Sequence, residues 1–276
     1  TCRLCRSKGD TYCFFEQFLP TPLVYQSSDN LAFPLFLKPD IGQGSRGTYI
    51  VNTREEMDFY MEKDDTLLVL EYLPGMEYTI DCFTNREGTL LFAEGRVRNR
   101  IMNGISVSSW PVKNEQFQKL AEQINQRLVF RGVWFFQVKE RADGELVLME
   151  ISPRIAGTMA LFRSVGVNFI QLSLYDRMDY EVKIIPHSFH TEIDRALFAR
   201  FTLDISYDTV YVDFDDTIIV NNRVNTNLIK FLYQCKNSSK KLILITKHLY
   251  DIKETLDTFA ISVLLFDEVI QLTKIQ

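Results

Sequence analysis

Apolar and polar positions alternate in short blocks along the chain, and the first clear blocks predict two strands joined by a glycine-rich loop. The stretch FPLFLKPD, residues 33–40, is apolar and predicts a strand. Residues 48–51 are mostly β-branched or aromatic and predict a second strand. A helix is predicted only after that strand, where Thr53 can cap the helix and Glu56 completes a capping box three residues on.

The loop between these strands contains a G-x-G-x-x-G motif formed by Gly42, Gly44 and Gly47. A dinucleotide fingerprint needs a helix directly after the glycines, and a P-loop needs Gly-Lys-Ser/Thr, so neither fits. A protein-kinase loop also lies between strands, but the sequence contains neither H-R-D nor D-F-G. A plain glycine-rich hairpin stays open as the alternative. Lys38 favours a phosphate site, because it precedes the loop and can reach phosphates that the loop N–H groups bind.

Residues 133–154 predict a hairpin around Asp143-Gly144, the strongest short signal for such a turn. With these two residues as the turn, Ala142 pairs with Glu145 and Gln137 lies opposite Glu150. One face of this hairpin then belongs to the core and carries Trp134, Phe136, Val138, Met149 and Ile151. The open face carries Gln137, Glu150, Ser152 and Arg154. Paired oxygen ligands beside phosphates suit Mg²⁺, so the open face is a candidate metal site.

Five segments, in this order, resemble the ATP-grasp superfamily, and in particular its carbamoyl-phosphate-synthase-like members. They are the helix SKGDTYCFFEQFLPTP, the glycine loop after Lys38, the strand–turn–strand LLVLEYLPGMEYTIDCF, the arginine-containing GRVRNRIMNGISVSSWPV, and the hairpin ending in MEISPR. The resemblance implies an α+β ATP-grasp domain of antiparallel sheets with helices over residues 1–205. It also implies a preceding α/β domain, which this chain is expected to lack.

The same resemblance implies roles for individual residues and ATP and Mg²⁺ as cofactors. Phosphates would be held by Lys8, Lys38, Gly42, Gly44, Ser45 and Gly47. Glu71 and the backbone around Leu73 would grip adenine, and Glu77 would accept from the ribose hydroxyls. Gln137, Glu150 and Ser152 would bind Mg²⁺, with Ser152 standing where the family usually has Asn. Arg154 would face the transferred phosphate, and Arg98 and Arg100 an acyl phosphate or carboxylate; a solvated basic strand is the alternative for these two arginines.

A second motif follows residue 205. Residues 208–212 and 240–246 are apolar and predict two strands, and NTNLIKFLYQC between them has helical spacing, so a parallel βαβ unit is expected. Asp213 and Thr246 then stand at the carboxyl ends of the strands, where active groups of such sheets belong. A plain acidic strand end is the alternative.

The D-x-D-x-T sequence at Asp213 resembles the haloacid-dehalogenase (HAD) superfamily. The resemblance implies an α/β Rossmann-like domain over residues 206–276, in which Asp213 attacks phosphorus and Asp215 is the general acid and base. Both would help to bind Mg²⁺, and Thr246 would hold the phosphate. The family's later acidic pair is missing and only Lys274 could approach its later lysine, so this domain is expected to be incomplete.

Composition adds few constraints. Apolar residues make up 46% of the 276 residues, and the net charge is −5, which gives no footprint for nucleic-acid binding. The apolar runs are too short to span a bilayer, so no membrane partner is expected. Five scattered cysteines suit reduced thiols in the cytoplasm, and the Cys2–Cys5 pair lacks the second pair of a zinc site.

These observations predict an ATP-dependent ligase that forms an acyl phosphate from a carboxylate or bicarbonate and transfers it to an amine or similar nucleophile. The expected partners are therefore a small-molecule acid and a nucleophile, and a homodimer stays open. Two alternatives remain: a nucleotide-binding regulatory module, which Ser152 favours, and a protein whose activity is that of an HAD phosphatase.

Overall fold

The computed structural model describes residues 1–26, 29–42, 44–102, 104–196 and 199–272, and the chain divides into two compact units. The first unit comprises residues 1–204, and the second begins at Ile205. Lys274 lies outside the described residues. None of the helices in the described ranges has the length and apolar character needed to cross a membrane.

The described residues of the first unit form three antiparallel sheets, and the elements are numbered in chain order over the whole protein. The first sheet has the order β1-β4-β2-β3 and consists of β1 (Val24–Tyr25), β2 (Leu35–Pro39), β3 (Tyr49–Val51) and β4 (Leu67–Glu71). The central sheet has the order β11-β10-β5-β6-β9 and consists of β5 (Glu77–Thr84), β6 (Leu90–Val97), β9 (Pro111–Val112), β10 (Gly132–Glu140) and β11 (Leu146–Ser152). The third has the order β13-β12-β8-β7 and consists of β7 (Arg100–Met102), β8 (Ile105–Ser109), β12 (Thr191–Arg195) and β13 (Ala199–Leu203).

Helices cover these sheets. They are α1 (Cys2–Arg6), α2 (Lys8–Phe15), α3 (Arg54–Met61), α4 (Glu115–Arg127), α5 (Phe169–Arg177) and a 3₁₀ helix (Met159–Arg163). Thr53 caps α3 as the sequence predicts, since its hydroxyl accepts from the Glu56 N–H at 3.2 Å. The Glu56 carboxylate accepts a hydrogen bond, at 2.7 Å, from the backbone N–H of Asn52, one residue before the cap.

The central sheet is buried on both faces. One face packs against α2 and α4 around Trp134 and Phe136, both fully buried, while the other packs against the 3₁₀ helix and α5 around Phe83 and Phe162. An ion pair crosses the sheet between Asp81 on β5 and Arg96 on β6, at 2.7 Å, and both side chains are buried. The central sheet is therefore a rigid base for residues at its ends.

The hairpin of β10 and β11 differs from its prediction in two places. Arg141 N–H donates to Glu145 O and Gly144 N–H to Arg141 O, so the loop has three residues, and the predicted pairing of Ala142 with Glu145 is wrong. Gly144 has φ of +87°, which places the glycine of the turn in the left-handed region. A register shift after Gln137 compensates for the extra loop residue, and the predicted pairing of Gln137 with Glu150 is confirmed.

The bulge that restores this register falls at Met149. Val138 pairs with Leu148 and Gln137 with Glu150, so Met149 has no partner of its own on β10. Leu148 takes the buried core position that the sequence assigned to Met149, and Met149 itself is half-buried outside that cluster. Counting from an ideal two-residue turn could not reveal this bulge, because residues 146–149 are apolar without a break and the pattern does not mark which of them is unpaired.

The second unit is an α/β arrangement, as its sequence pattern predicts. Its parallel sheet has the order β14-β17-β18, with strands β14 (Thr209–Val212), β17 (Lys241–Thr246) and β18 (Glu268–Gln271). The other elements are the hairpin β15 (Ile219–Val220) and β16 (Arg223–Val224), the helices α6 (Thr226–Asn237) and α7 (Ile252–Thr258), and a 3₁₀ helix (Val263–Leu265). An apolar core around Phe214, Leu232 and Leu244 lies between sheet and helices.

Candidate functional site

A polar pocket in the first unit lies where the first sheet and the glycine loop face the central sheet. It encloses about 570 Å³ of space, part of which is open solvent. Its lining consists of Lys8, Phe36, Lys38, Pro39, Gly42, Gly44, Ser45, Arg46, Thr48, Glu77, Arg98, Gln137, Met149 and Glu150. Four of these side chains are basic and two are acidic, so the pocket suits a polyanion.

Two lysines reach the pocket from neighbouring segments. Lys38 is the penultimate residue of β2 and is only 6% exposed, and its ammonium lies 3.4 Å from the carbonyl oxygen of Met149. Burial, helped by the nearby charge of Lys8, lowers the pKa of Lys38 to about 7. Lys8 begins α2 and donates to the carbonyl oxygens of Pro39 and Asp40 at 3.1 and 2.9 Å. Burial also lowers the pKa of Lys8, although Glu150 and Asp40 oppose the shift.

Gln137 and Glu150 stand opposite each other on neighbouring strands, and both line the pocket. The Gln137 amide nitrogen donates to the Thr79 hydroxyl at 3.4 Å, which leaves its oxygen as the atom suited to a cation. No group of three or more His, Cys, Asp or Glu suited to a metal occurs within the described part of the chain. Mg²⁺ in nucleotide sites needs only one or two protein ligands, because phosphates and water supply the rest, so these two side chains fit it.

Glu77 and Arg98 form an ion pair at the edge of the pocket. Arg98 also donates to the carbonyl oxygen of Gly104 at 2.8 Å, and its side chain is 9% exposed. Glu77 therefore offers a carboxylate to the pocket while Arg98 connects it to the turn between β7 and β8.

Several residues predicted for the nucleotide site lie outside the pocket lining. Glu71 is bound by the Arg141 guanidinium, with a closest distance of 2.6 Å, and its carboxylate accepts from the Leu23 N–H at 2.9 Å. Leu73 is buried, and Gly47 packs beside Pro39. The carboxylate of Glu71 thus serves to join the first sheet to the β10–β11 hairpin, and only its backbone would be free for a base.

The remaining predicted residues of the first unit also lie away from the pocket lining. Ser152 pairs with Phe135 at the end of β11, and the Arg154 guanidinium lies 4.9 Å from the centre of the Phe135 ring. Arg100 forms an exposed ion pair with Asp194 on β12 at 2.6 Å. Of the two arginines predicted to bind an acidic substrate, Arg98 alone lines this pocket.

Sequence reasoning missed Arg46, Tyr12 and the carbonyl of Met149. Arg46 is the basic residue within the glycine motif and lines the pocket, so its charge was a usable signal. The Tyr12 hydroxyl donates to Met149 O at 2.8 Å, and burial raises the pKa of Tyr12 well above its ordinary value. No sequence signal marks the Met149 carbonyl, because only the bulge brings it there.

The second unit has its own polar group at the carboxyl ends of β14 and β17. These strands are adjacent and parallel, with Val212 beside Leu244, so Asp213 and Thr246 follow at neighbouring strand ends. The Asp215 carboxylate lies 3.0 Å from Nδ1 of His248. The backbone N–H of His248 donates to the Thr246 hydroxyl at 3.1 Å. His248 was not predicted from the sequence, although it follows Thr246 by two residues.

Comparison with known proteins bears on the first unit. Residues 63–195 match the family described as "ATP-grasp in the biosynthetic pathway with Ter operon". The carbamoyl phosphate synthase large chain of Clostridium beijerinckii is 28% identical over 167 residues, which cover 54% of this chain and 15% of that protein. Its counterpart from Clostridium botulinum (strain Alaska E43 / Type E3) is 26% identical over the same shares. The chain thus spans a small part of the curated relatives that it matches.

Solved structures show the same fold. The biotin carboxylase domain dimer of Hydrogenobacter thermophilus 2-oxoglutarate carboxylase, solved with MgADP, ADP and bicarbonate, superimposes with a TM-score of 0.61 at 14% identity, over 70% of this chain and 50% of that one. Carboxyaminoimidazole ribonucleotide synthase from Aspergillus clavatus, complexed with ATP, gives 0.61 at 16% identity, over 69% and 56%. The matched part of the chain therefore has the ATP-grasp fold, as its motifs predict. The family match ends at residue 195 and does not bear on the second unit.

Proposed function

We propose that the first unit binds Mg-ATP and uses it to activate a carboxylate or bicarbonate as an acyl phosphate for transfer to an amine or similar nucleophile. The observation that carries this proposal is the convergence of Lys8, Lys38, the glycine loop and the Gln137–Glu150 pair on one pocket. Proteins that share the fold were solved with ATP, MgADP and bicarbonate, which supports the same ligand classes here.

The charges of the pocket support a triphosphate. Lys38 is buried beside a second lysine, so its charged form lacks full solvation until an anion arrives. Phosphate oxygens would supply that anion, and the N–H groups around Gly44 and Ser45 would hold them from above. Arg46 would add a charge-assisted hydrogen bond. Glu77 would accept from the ribose hydroxyls, and the backbone near Leu73 would grip adenine.

A bound Mg²⁺ would neutralise phosphate charge during the transfer. Gln137 and Glu150 would hold it from the central sheet, and Ser152 would contribute from two residues further along β11. The side chains would position the acid and ATP for an in-line reaction. In that reaction a carboxylate oxygen of the acid attacks the γ-phosphorus, the bond from this phosphorus to the β–γ bridging oxygen breaks, and ADP leaves. The nucleophile then attacks the acyl carbon, loses a proton and displaces inorganic phosphate.

The proposed reaction is tested by a screen of carboxylic acids and bicarbonate, with and without amines, for ATP-dependent phosphate release. The expected result is one acid that raises phosphate release by at least tenfold over ATP alone, in wild type but not in Glu150→Gln. A chain that binds ATP by calorimetry yet releases no phosphate with any acid would instead support the nucleotide-binding regulatory module, for which Ser152 in place of Asn is the supporting feature.

A second candidate function belongs to the second unit. We infer a Mg²⁺-dependent phosphatase from the adjacent strand ends that carry Asp213 and Thr246. Asp213 would attack phosphorus, Asp215 would protonate the leaving oxygen, and Thr246 would bind the phosphate. His248 would orient Asp215 through the contact at Nδ1.

We further propose that the protein is cytoplasmic and forms a homodimer. All five cysteines are free, which suits a reducing compartment. The dimer of the Hydrogenobacter domain supports a homodimer, and sedimentation at micromolar concentration would show twice the 32.2 kDa chain mass if this holds.

A further inference from the structure

The glycine loop, meaning Gly42 and residues 44–47, touches the turn that joins β7 to β8. A Cβ atom built on Gly104 would lie 2.0 Å from the carbonyl oxygen of Gly44 and 2.8 Å from Cβ of Ser45. Gly104 also has φ of +74°, which side chains other than glycine rarely adopt. The two loops therefore approach so closely that only a glycine at position 104 allows the contact.

Arg98 holds the Gly104 turn in place. Its guanidinium donates to the Gly104 carbonyl oxygen at 2.8 Å and pairs with Glu77 on β5, and its side chain is nearly buried. The Arg98 N–H also donates to the Glu77 carbonyl oxygen at 3.3 Å. Contacts thus run from Glu77 on the central sheet through Arg98 to Gly104, and from there to Gly44 above the pocket.

We propose that Arg98 is a positioning residue that, through Gly104, sets the height of the glycine loop over the pocket. The loop has little packing of its own, and its N–H groups can bind phosphate only at about 2.7–3.2 Å from the oxygens. A support fixed to the central sheet would keep them at that distance. The proposal rests on the proposed nucleotide site for its consequence, although the loop contact itself can be tested without nucleotide.

The first arm of the test measures the loop directly. Trypsin can cut after Arg46, which lies in the glycine loop, and mass spectrometry identifies that cut among others. In Gly104→Ala the added methyl group should displace the loop and raise the rate of cleavage at Arg46 by about fivefold or more. Gly88→Ala is the matched control, because Gly88 also has a positive φ, of +81°, yet nothing lies within 4 Å of its Cβ position. This control should leave the Arg46 rate unchanged.

The second arm measures which ligands depend on the loop. Gly104→Ala should weaken ATP binding by at least tenfold while adenosine binding changes by less than twofold, since adenosine lacks phosphates. Arg98→Lys should act in the same direction, because a lysine can pair with Glu77 but cannot also reach the Gly104 carbonyl. Circular dichroism should show both variants folded at the assay temperature.

The outcomes separate this proposal from the nucleotide assignment. An unchanged Arg46 cleavage rate in Gly104→Ala would overturn the positioning role whatever the nucleotide does. Equal losses of ATP and adenosine affinity would also overturn it, because they would show general damage to the pocket. A wild-type chain that binds no ATP, with faster Arg46 cleavage in Gly104→Ala and not in Gly88→Ala, would refute the nucleotide site and keep the loop support.

Discussion

The ammonium group of Lys38 lies 3.4 Å from the main-chain carbonyl oxygen of Met149, the residue at which β11 bulges. The Tyr12 hydroxyl donates to the same oxygen at 2.8 Å, so α2, β2 and β11 meet at one atom. Among the described residues the hydrogen-bond partner of Lys38 is thus a neutral carbonyl. Burial lowers the pKa of Lys38 to about 7, and an anionic ligand beside it would favour its charged form.

Replacement of Lys38 by methionine should weaken ATP binding by at least tenfold, which corresponds to about 1.4 kcal/mol. The physical reason is the loss of a charge-assisted contact to phosphate from a buried position. Isothermal titration calorimetry with Mg-ATP measures it, and Lys119→Met, on the exposed face of α4, serves as the control. Unchanged affinity in Lys38→Met would rule out Lys38 as a phosphate ligand.

ATP binding should take up protons at alkaline pH. The folded chain holds the pKa of Lys38 near 7, below its ordinary 10.5, so Lys38 is mostly neutral at pH 8. A triphosphate beside Lys38 favours its charged form and raises its pKa again. Proton uptake on binding should therefore approach one proton per ATP between pH 7 and pH 10.5, and it should fade below pH 7. Calorimetry in buffers of different ionisation enthalpy measures the uptake. If Lys38→Met retains the uptake seen in wild type, the proton goes elsewhere.

The Asp-Gly turn signal predicts the pairing of Gln137 with Glu150 correctly, although the assumed two-residue turn is wrong. The turn has three residues rather than two, and the bulge at Met149 cancels that difference. Hydrophobic alternation and an Asp-Gly signal are local, and they located both strands and the polar face between them. The position of a bulge depends on the tertiary contacts of the strand with other elements, so no local sequence pattern could reveal it.

Long-range partners account for the other differences. The family resemblance implies an adenine contact for Glu71, but Arg141 on the β10–β11 loop binds its carboxylate. Arg100 was grouped with Arg98 because they are two residues apart, yet Arg100 pairs with Asp194 on a strand nearly a hundred residues later. Which charged side chains meet is fixed by tertiary structure, and one sequence does not contain that information in readable form.

Glu150→Gln should abolish Mg²⁺-dependent ATP turnover while leaving the fold almost unchanged. Glu150 lies on the open face of the hairpin, and such side chains contribute little to stability, within about 0.5 kcal/mol. Phosphate release and urea denaturation, measured on the same preparation, test both halves of the statement, and Glu122→Gln on α4 is the control. Turnover that survives at saturating Mg²⁺ would show that the cation is held by other groups.

Asp81→Ala should destabilise the first unit by about 3–5 kcal/mol, because it leaves the buried charge of Arg96 without a carboxylate partner. The double variant Asp81→Leu with Arg96→Met should recover most of this loss, since apolar replacement of a buried ion pair is often neutral. The contrast is Asp194→Ala, which breaks the exposed pair with Arg100 and should cost about 0–1 kcal/mol. Denaturation curves that show equal losses for Asp81→Ala and Asp194→Ala would contradict the expected effect of burial.

The last prediction concerns Asp213 in the second unit. If the strand-end group is a phosphatase, the protein should hydrolyse p-nitrophenyl phosphate in Mg²⁺, and Asp213→Asn should remove this activity without changing ATP affinity in the first unit. Asp213 follows β14 directly, and its Oδ1 accepts from the Phe214 N–H at 2.7 Å, which fixes the carboxylate at the strand end.

Asp208→Asn, before the same strand and fully exposed, is the control. His248→Ala should lower the rate less than Asp213→Asn does, because His248 would act only through Asp215. Hydrolysis that persists in Asp213→Asn would exclude Asp213 as the nucleophile. Absence of hydrolysis from the wild type would leave these acidic residues a structural role at the end of β14.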